Sequence, residues 1–392
     1  MSKVRELSGA PAVVPTSATA AESAVQLRVV NCVAIITLNR PAALNALSHE
    51  MVRELAVQIE RCRTDSGVAA VVLRGAGEKA FCAGSDVRAL HEMHQRNDNG
   101  WQQFFIDEYR LDYALHAFPK PVVALLDGIT MGGGMGLGQA ARLRVVTERT
   151  KMAMPETRIG FLPDVGATRF LSVLPVEVAL YVGLTGVTLT GAEAMHFQLA
   201  DLCVPSEWLD TFEERLLRIA TADASNDELL RLLRTVFEPP GNIVPHAGLG
   251  EFTQLIRRHF DWRSGIDRYV KTLRQDLDRE PPREVRQWLQ ATYEAMTSHS
   301  PTMLCVTRDA LLRGRQMTLS ECFRMELGIV THAIKECDFS EGVRAHLLDK
   351  DHKPRWAPAT LADVRPERVQ RFLSSPWHVN GHPLADLSAR VT

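Results

Sequence analysis

The chain has 392 residues, of which 45% are hydrophobic and 23% charged, and its formal net charge is −2 at pH 7. These values are typical of a globular protein with a large core and more than one structural unit. Without a strong basic charge, the composition argues against a nucleic-acid-binding protein or a protein of anionic membrane surfaces. No apolar run reaches the roughly 18 residues that a membrane span needs.

The cysteines predict a reducing compartment. There are seven of them, scattered and without a C-x-x-C pair, which argues against a disulfide framework or a zinc site. The first 25 residues are rich in Ala, Ser, Val and Pro, but they lack the apolar core of a signal peptide and the arginines of a transit peptide. We therefore expect a mobile tail over residues 1–25 and a cytoplasmic location.

Strands and helices alternate in the first half of the chain. Its β-branched and apolar runs predict strands, and its amphipathic stretches predict helices. The predicted strands are 33–38, 68–77, 121–128 and two short ones near 143–149 and 151–156, and the predicted helices are 48–63, 86–96 and 101–118. Alternation of this kind is typical of an α/β architecture with crossover connections, here over residues 26–205.

Strand signals nearly vanish after residue 205. Four stretches with helical periodicity follow, and they predict a helical C-terminal domain over residues 206–360. A Pro/Gly-rich connector, "FEPPGNIVPHAGLGE" at 237–251, lies inside this half. Residues 361–392 are predicted to form a partly ordered C-terminal tail.

Five glycines lie within the stretch "TMGGGMGLG" at residues 130–138. No lysine follows them as in a phosphate-binding P-loop, and their spacing misses the dinucleotide-binding pattern by one residue. Close packing of a helix on a strand remains an alternative explanation. A third interpretation is that the start of the helix exposes backbone N–H groups that bind a developing negative charge.

A second loop could supply another such donor. The loop "FCAGSD" also precedes a helix, and it places the Ser85 N–H after Gly84, a residue that lets another group approach closely. With the Gly133 N–H, two strand-end loops could converge on one carbonyl oxygen.

These motifs resemble the enoyl-CoA hydratase/isomerase (crotonase) superfamily, and within it the branch of 3-hydroxyisobutyryl-CoA hydrolases. The similarity extends over about residues 27–358, in the stretches "LNRPAALNAL", "GEKAFCAGSDVRAL", "ALLDGITMGGGMGLG", "TERTKMAMPETRIGFLPDVG" and "EGVRAHLLDKDHKPRWAPA". The resemblance implies an α/β fold, a crotonase-like ββα spiral core followed by a helical C-terminal domain. It also implies an acyl-coenzyme A substrate and no separate cofactor or metal, because coenzyme A is part of the substrate.

The resemblance also implies roles for individual residues. Glu156 and Asp164 would be the catalytic acids, and the backbone N–H groups of Ser85 and Gly133 would form the oxyanion hole. The expected substrate-binding residues are Glu108, Ala43, Leu44, Ala83 and Gly84.

The two acids also suit the chemistry by themselves. Glu156 and Asp164 are eight positions apart, and Gly160 and Pro163 between them predict a loop that can bring both carboxylates together. One carboxylate would activate water or attack the thioester, and the other would orient a substrate hydroxyl or handle a proton. Two neighbouring acids also push their pKa values apart. Direct water attack and a covalent anhydride both remain open.

Departures from the superfamily pattern narrow the reaction. Hydratases of the superfamily carry a second glutamate at the position of Gly136. A hydratase mechanism would therefore lack one of its two catalytic carboxylates in this chain. A double-bond isomerase that uses Glu156 alone remains an alternative, and so does a non-catalytic coenzyme A-binding or scaffold protein on the same fold. From the resemblance we expect hydrolysis of 3-hydroxyisobutyryl-CoA in valine catabolism, and a trimer-type homo-oligomer.

Overall fold

The structure is a computed structural model, and it describes residues 23–221, 224–241, 245–378 and 381–388. Residues 1–22 of the predicted N-terminal tail and residues 242–244 of the predicted connector lie outside the described residues.

Within the described residues, the chain forms two sheets and sixteen α-helices. The strands are β1 Val25–Val30, β2 Val33–Leu38, β3 Ala70–Gly75, β4 Ala80–Cys82, β5 Val122–Leu126, β6 Ile129–Met131, β7 Leu143–Thr147, β8 Lys151–Ala153, β9 Leu189–Thr190 and β10 Leu202–Val204. The helices are α1 His49–Thr64, α2 Val87–Gln95, α3 Gly100–His116, α4 Gly133–Gln139, α5 Ala167–Phe170, α6 Val176–Thr185, α7 Gly191–His196, α8 Phe212–Leu216, α9 Asn226–Phe237, α10 Thr253–His259, α11 Ile266–Leu277, α12 Arg283–Ser298, α13 Pro301–Gly314, α14 Leu319–Lys335, α15 Cys337–Val343 and α16 Pro366–Phe372. The prediction of an α/β half followed by a helical half is confirmed.

The larger sheet has six strands in the order β1-β2-β3-β5-β7-β10. Only its edge pair β1–β2 is antiparallel, and the other pairs are parallel. Five of the six residues of β2 are buried, and alternate residues enter different cores: Ala34 and Ile36 face one core, Val33 and Ile35 the other. Both faces of the sheet are therefore covered, which is why its strands read as continuous apolar runs.

Helices from both halves of the chain cover the larger sheet. On one face lie apolar residues of α1 and α3. On the other face lie α8 and α9, which contribute Phe212, Leu233 and Phe237. The helical half therefore packs directly on the sheet of the first half, and the proposed division of the chain at residue 205 stays a prediction.

The smaller sheet has four strands in the order β4-β6-β8-β9. The strands β4, β6 and β8 are parallel, with Cys82 opposite Thr130 and Thr130 opposite Met152. The carboxyl ends of these three strands therefore lie side by side at one edge of the sheet.

The glycines of α4 serve close packing. A Cβ atom on Gly134 would lie 2.3 Å from the Cys82 carbonyl oxygen, and one on Gly138 would lie 2.8 Å from a Leu126 methyl group. Every residue of α4 is buried. The packing explanation for the glycine stretch therefore holds for the body of this helix, and it leaves the helix start free for another role.

The C-terminal segment carries more structure than a tail. Residues 366–372 form α16, and Leu384 is fully buried. Arg110 of α3 forms an ion pair with Asp386 at 2.7 Å, and the Tyr113 hydroxyl donates to the Ser388 carbonyl at 2.9 Å. Within the described residues, no helix is both long and apolar enough to cross a membrane.

Helix α15 is held against the loop that follows β8. A Cβ atom on Gly342 would lie 2.3 Å from the carbonyl oxygen of Ile159, and one on Gly160 would lie 2.3 Å from the carbonyl oxygen of Asp338. These two glycines let the backbones touch, so residues after 335 come directly onto the segment that carries Glu156 and Asp164.

We expect Gly342→Ala to destabilise the protein, because the added methyl group meets main-chain atoms that can move only with the whole helix. The free energy of unfolding, measured by denaturant titration, should fall by about 1–3 kcal/mol. Gly248→Ala is the matched control, since a Cβ atom there has no neighbour within 4 Å. Equal stability of both variants would contradict the proposed tight contact.

Candidate active site

Three loops meet at one edge of the smaller sheet. Residues 83–85 follow β4, residues 132–133 follow β6, and residues 154–156 follow β8. Because these strands are parallel neighbours, the three loops lie together, and they line a cavity of about 420 Å³. The two strand-end loops of the sequence prediction line this cavity together with a third loop, and their convergence on one carbonyl oxygen stays a prediction.

The loops of Ser85 and Gly133 are in contact. Gly84 has a φ of +99°, and a Cβ atom there would lie 3.4 Å from the Gly133 nitrogen. Gly132 has a φ of +50° and a ψ of −123°, a backbone conformation that glycine adopts readily. Among the described residues, neither the Ser85 N–H nor the Gly133 N–H donates to a protein acceptor. Two free donors therefore lie next to each other at the cavity wall.

Glu156 lies beside these donors. Its Oε1 atom is 3.2 Å from the position of a Cβ atom on Gly132, and its Oε2 atom has no hydrogen-bond partner among the described residues. The side chain is buried, and burial raises the pKa of Glu156 well above its usual value, with a further contribution from the charge of Asp164. A carboxylate of raised basicity therefore borders the cavity.

Asp164 lines the same cavity. The Phe161 N–H donates to the Glu156 carbonyl at 3.0 Å and folds the intervening segment back. The Tyr109 hydroxyl donates to Asp164 Oδ2 at 2.6 Å, and burial raises the pKa of Asp164 to about 7. The structure therefore brings Ser85, Gly133, Glu156 and Asp164 to one cavity.

A buried glutamate of the helical half holds the loop after Asp164. Glu326 of α14 accepts hydrogen bonds from the Gly166 N–H at 2.7 Å and the Thr168 N–H at 2.9 Å. It also accepts from the Thr168 hydroxyl at 2.6 Å, and burial raises the pKa of Glu326 to about 8. No sequence pattern indicates this role, because an isolated glutamate in an amphipathic helix is usually solvated.

Glu108 lies behind the cavity wall. It is fully buried on α3, and its Oε1 atom accepts a hydrogen bond from the Ser85 hydroxyl at 2.8 Å. The same atom is 2.5 Å from the position of a Cβ atom on Gly133. Ser85 and Gly133 line the cavity and Glu108 is not among the lining residues, so its predicted contact with substrate stays a prediction.

The other predicted substrate-binding residues divide into two groups. Ala83 and Gly84 line the cavity, whereas Ala43 and Leu44 do not. The Leu44 carbonyl accepts a hydrogen bond from the Ala83 N–H at 3.0 Å, so the loop of residues 43–44 is attached to the edge of the site.

The structure adds a wall that the sequence analysis did not assign. Its residues come from α15 and the segment after it, more than 170 positions beyond Asp164, and they are Phe339, His346, Leu347 and His352. Phe105 and Phe161 complete an apolar side, with ring centroids 5.8 Å apart. The stretch "EGVRAHLLDKD" belongs to the similarity with the superfamily, but nothing in its residues indicates contact with the first half of the chain.

Asp112 is a further buried acid that the sequence analysis missed. It is fully buried one turn after Glu108, and neither of its oxygens has a hydrogen-bond partner among the described residues. Burial raises the pKa of Asp112 well above its usual value, and the charges of Glu108 and Asp164 add to this. Within the described chain, no ion pair involves Glu108, Asp112 or Asp164. The described residues also contain no group of three or more His, Cys, Asp or Glu side chains that could hold a metal ion.

We expect Asp112→Asn to stabilise the protein at neutral pH. A raised pKa in the folded state means that stability is lost as the pH rises above the unfolded value of about 4, and the amide removes this loss. The gain in the free energy of unfolding should be on the order of 1 kcal/mol at pH 7 and should vanish below about pH 4. Asp210→Asn, at an exposed aspartate, is the control. A gain that is the same at both pH values would contradict a buried titrating carboxyl group.

The family model described as Enoyl-CoA hydratase/isomerase matches residues 33–373. A zebrafish protein named "3-hydroxyisobutyryl-CoA hydrolase, mitochondrial" is 38% identical over 342 residues, which cover 87% of each chain. A Neurospora crassa protein named "Small ribosomal subunit protein mS47" is 35% identical over 341 residues, 84% of this chain and 67% of that protein.

The names of these relatives correct the expected location. The prediction of a cytoplasmic protein is wrong by this comparison, because relatives from zebrafish, chicken and rat are all named as mitochondrial. The physical reason is that scattered cysteines without a C-x-x-C pair indicate a reducing environment, which does not distinguish one reducing compartment from another.

A solved structure confirms the fold class. The crystal structure of a carnitinyl-CoA dehydratase from Mycobacterium thermoresistibile superposes with a TM-score of 0.81 at 33% sequence identity, covering 93% of this chain and 99% of that chain. The predicted crotonase-like core followed by a helical region is therefore confirmed, and the chain belongs to the enoyl-CoA hydratase/isomerase family.

Proposed function

We propose that the protein hydrolyses a small acyl-coenzyme A thioester, with 3-hydroxyisobutyryl-CoA as its substrate. The observation that carries this proposal is the meeting of two free N–H donors and two buried carboxyl groups around one cavity. The names of the zebrafish and Arabidopsis relatives support the reaction class.

In the proposed complex, the thioester carbonyl oxygen accepts hydrogen bonds from the Ser85 and Gly133 N–H groups. These donors stabilise the negative charge that develops on this oxygen when the carbonyl carbon is attacked. The first donor precedes α2 and the second begins α4, so the backbone fixes their directions. Little reorganisation is needed at the moment of reaction.

Glu156 supplies the base or the nucleophile. Two routes suit its position: its carboxylate removes a proton from the attacking water, or it attacks the carbonyl carbon and forms an anhydride that water then opens. In both routes the carbon–sulfur bond breaks and the coenzyme A sulfur needs a proton. Asp164, neutral below its raised pKa, is the group that we assign to donate it.

The cavity supports a small acyl group. A volume of about 420 Å³ is at the lower end for ligand pockets. Phe105, Phe161 and Phe339 close its apolar side, and the Phe161 and Phe339 ring centroids are 5.4 Å apart.

Two alternatives from the sequence analysis remain. A double-bond isomerase needs only Glu156. A hydratase with two glutamates is disfavoured, because a glutamate side chain at position 136 does not fit: a Cβ atom on Gly136 would lie 2.7 Å from Val165 and 2.8 Å from Asp112. The ribosomal relative from Neurospora supports the scaffold alternative. Both alternatives predict that no free thiol is released from acyl-coenzyme A.

The expected trimer-type assembly of the chain stays a prediction.

We expect Glu156→Gln to lower kcat for thiol release from 3-hydroxyisobutyryl-CoA by about a hundredfold to ten-thousandfold, because the amide can neither accept a proton nor attack. The measurement is continuous detection of free thiol, with circular dichroism to verify folding. Glu60→Gln, at an exposed ion pair with Arg63, is the matched control. Full activity in Glu156→Gln would remove this residue from the mechanism, and conversion of enoyl isomers without thiol release would favour the isomerase.

The two acids should also shape the pH dependence. Glu156 must be ionised, so kcat/KM should fall as the pH drops through its raised pKa. Asp164 must be protonated, so kcat/KM should fall as the pH rises above about 7. We expect Asp164→Asn to be slower and to lose the alkaline decline in a profile from about pH 5 to 9. An unchanged alkaline limb in this variant would assign that limb to another group.

A further inference from the structure

Ser85 lines the cavity and carries two polar groups, its backbone N–H and its hydroxyl. Its N–H, like that of Gly133, donates to no protein acceptor among the described residues.

The hydroxyl is held in place from behind. Ser85 Oγ lies 2.8 Å from Glu108 Oε1 and 3.2 Å from the position of a Cβ atom on Gly133. Glu108 is fully buried and is not among the residues that line the cavity, whereas Ser85 is. A side chain at residue 133 would occupy the space of this contact.

The hydrogen-bonding capacity of the pair is not exhausted. A hydroxyl has one donor and two acceptor positions, and a single bond to Glu108 uses only one of the three. Glu108 Oε2 has no hydrogen-bond partner among the described residues. A ligand hydroxyl that bonds to Ser85 Oγ would therefore complete a short chain from ligand to Ser85 to Glu108.

We propose that the Ser85 hydroxyl selects acyl groups that carry a hydroxyl near the thioester, and that Glu108 is the positioning residue that orients it. This inference rests on the proposed function in taking an acyl thioester as the ligand. A site built to bond a ligand hydroxyl disfavours the analogue that lacks it, because its polar atoms are then left unpaired in a water-poor cavity. The apolar side formed by Phe105 and Phe161 receives the carbon atoms.

The test compares a matched substrate pair, 3-hydroxyisobutyryl-CoA and isobutyryl-CoA. The quantity measured is the ratio of their kcat/KM values in the wild type, Ser85→Ala and Ser85→Thr. We expect Ser85→Ala to lower this ratio about tenfold and Ser85→Thr to keep most of it, because threonine retains the hydroxyl. Ser172→Ala, at a site outside the cavity, is the control. An unchanged ratio in Ser85→Ala would overturn the proposal and leave Asp164 as the group that binds the hydroxyl.

The role of Glu108 is tested by a double-mutant cycle. Glu108→Leu removes the acceptor and keeps a similar volume, so it should lower the same ratio, and the double variant with Ser85→Ala should lose little more than either single variant. Additive losses would contradict a positioning role that acts through Ser85.

A binding measurement separates this inference from the proposed reaction. Non-hydrolysable thioether analogues of the two substrates are titrated calorimetrically into the wild type and Ser85→Ala. A preference for the hydroxylated analogue that falls about tenfold in the variant supports the selection by Ser85 even if no ester is hydrolysed. The same preference in both proteins would overturn it, whereas absence of thiol release alone would overturn only the hydrolase.

Discussion

The parallel alignment of three very short strands is the constraint on which the rest of the site depends. Strands β4, β6 and β8 have three residues each, and their pairing brings three chain segments to the same edge. A strand reversed or shifted by one residue would move its loop away or turn its side chains to the other face. So few ladder hydrogen bonds cannot hold this alignment alone, and the close approach of α4 to β4 at Gly134 helps to hold it.

Burial of acids is the second organising feature. Glu108, Asp112, Glu156, Asp164 and Glu326 are all at most 7% exposed. Glu108, Asp164 and Glu326 accept hydrogen bonds from hydroxyls and backbone N–H groups. Buried carboxylates more usually pair with arginines or lysines. Without a positive partner, burial raises the pKa values of these carboxyl groups. Some of them therefore keep their protons near neutral pH, which suits groups that exchange protons with a substrate.

Local patterns made much of the first half predictable. The strand at 33–38, the helices α1 and α3, and the proximity of the loops at Ser85 and Gly133 follow from periodicity and from the glycines. Strand β1 was missed, because its hairpin turns at Asn31 and Cys32, both with positive φ, and cysteine is no turn signal. The cavity wall that contains His346 and the hydrogen bonds from Gly166 and Thr168 to Glu326 were not predicted. They depend on contacts between distant segments, which a local sequence pattern does not encode.

The wall formed by Phe339, His346, Leu347 and His352 also has a consequence for biosynthesis. A ribosome releases the amino-terminal part of a chain first, and that part begins to fold while the rest is still being made. The loops with the N–H donors and both acids are finished when less than half of the chain has been translated, but their enclosure comes from residues near position 350. These wall residues lie 175 to 188 positions after Asp164, so the cavity can be enclosed only after this long intervening stretch has been translated.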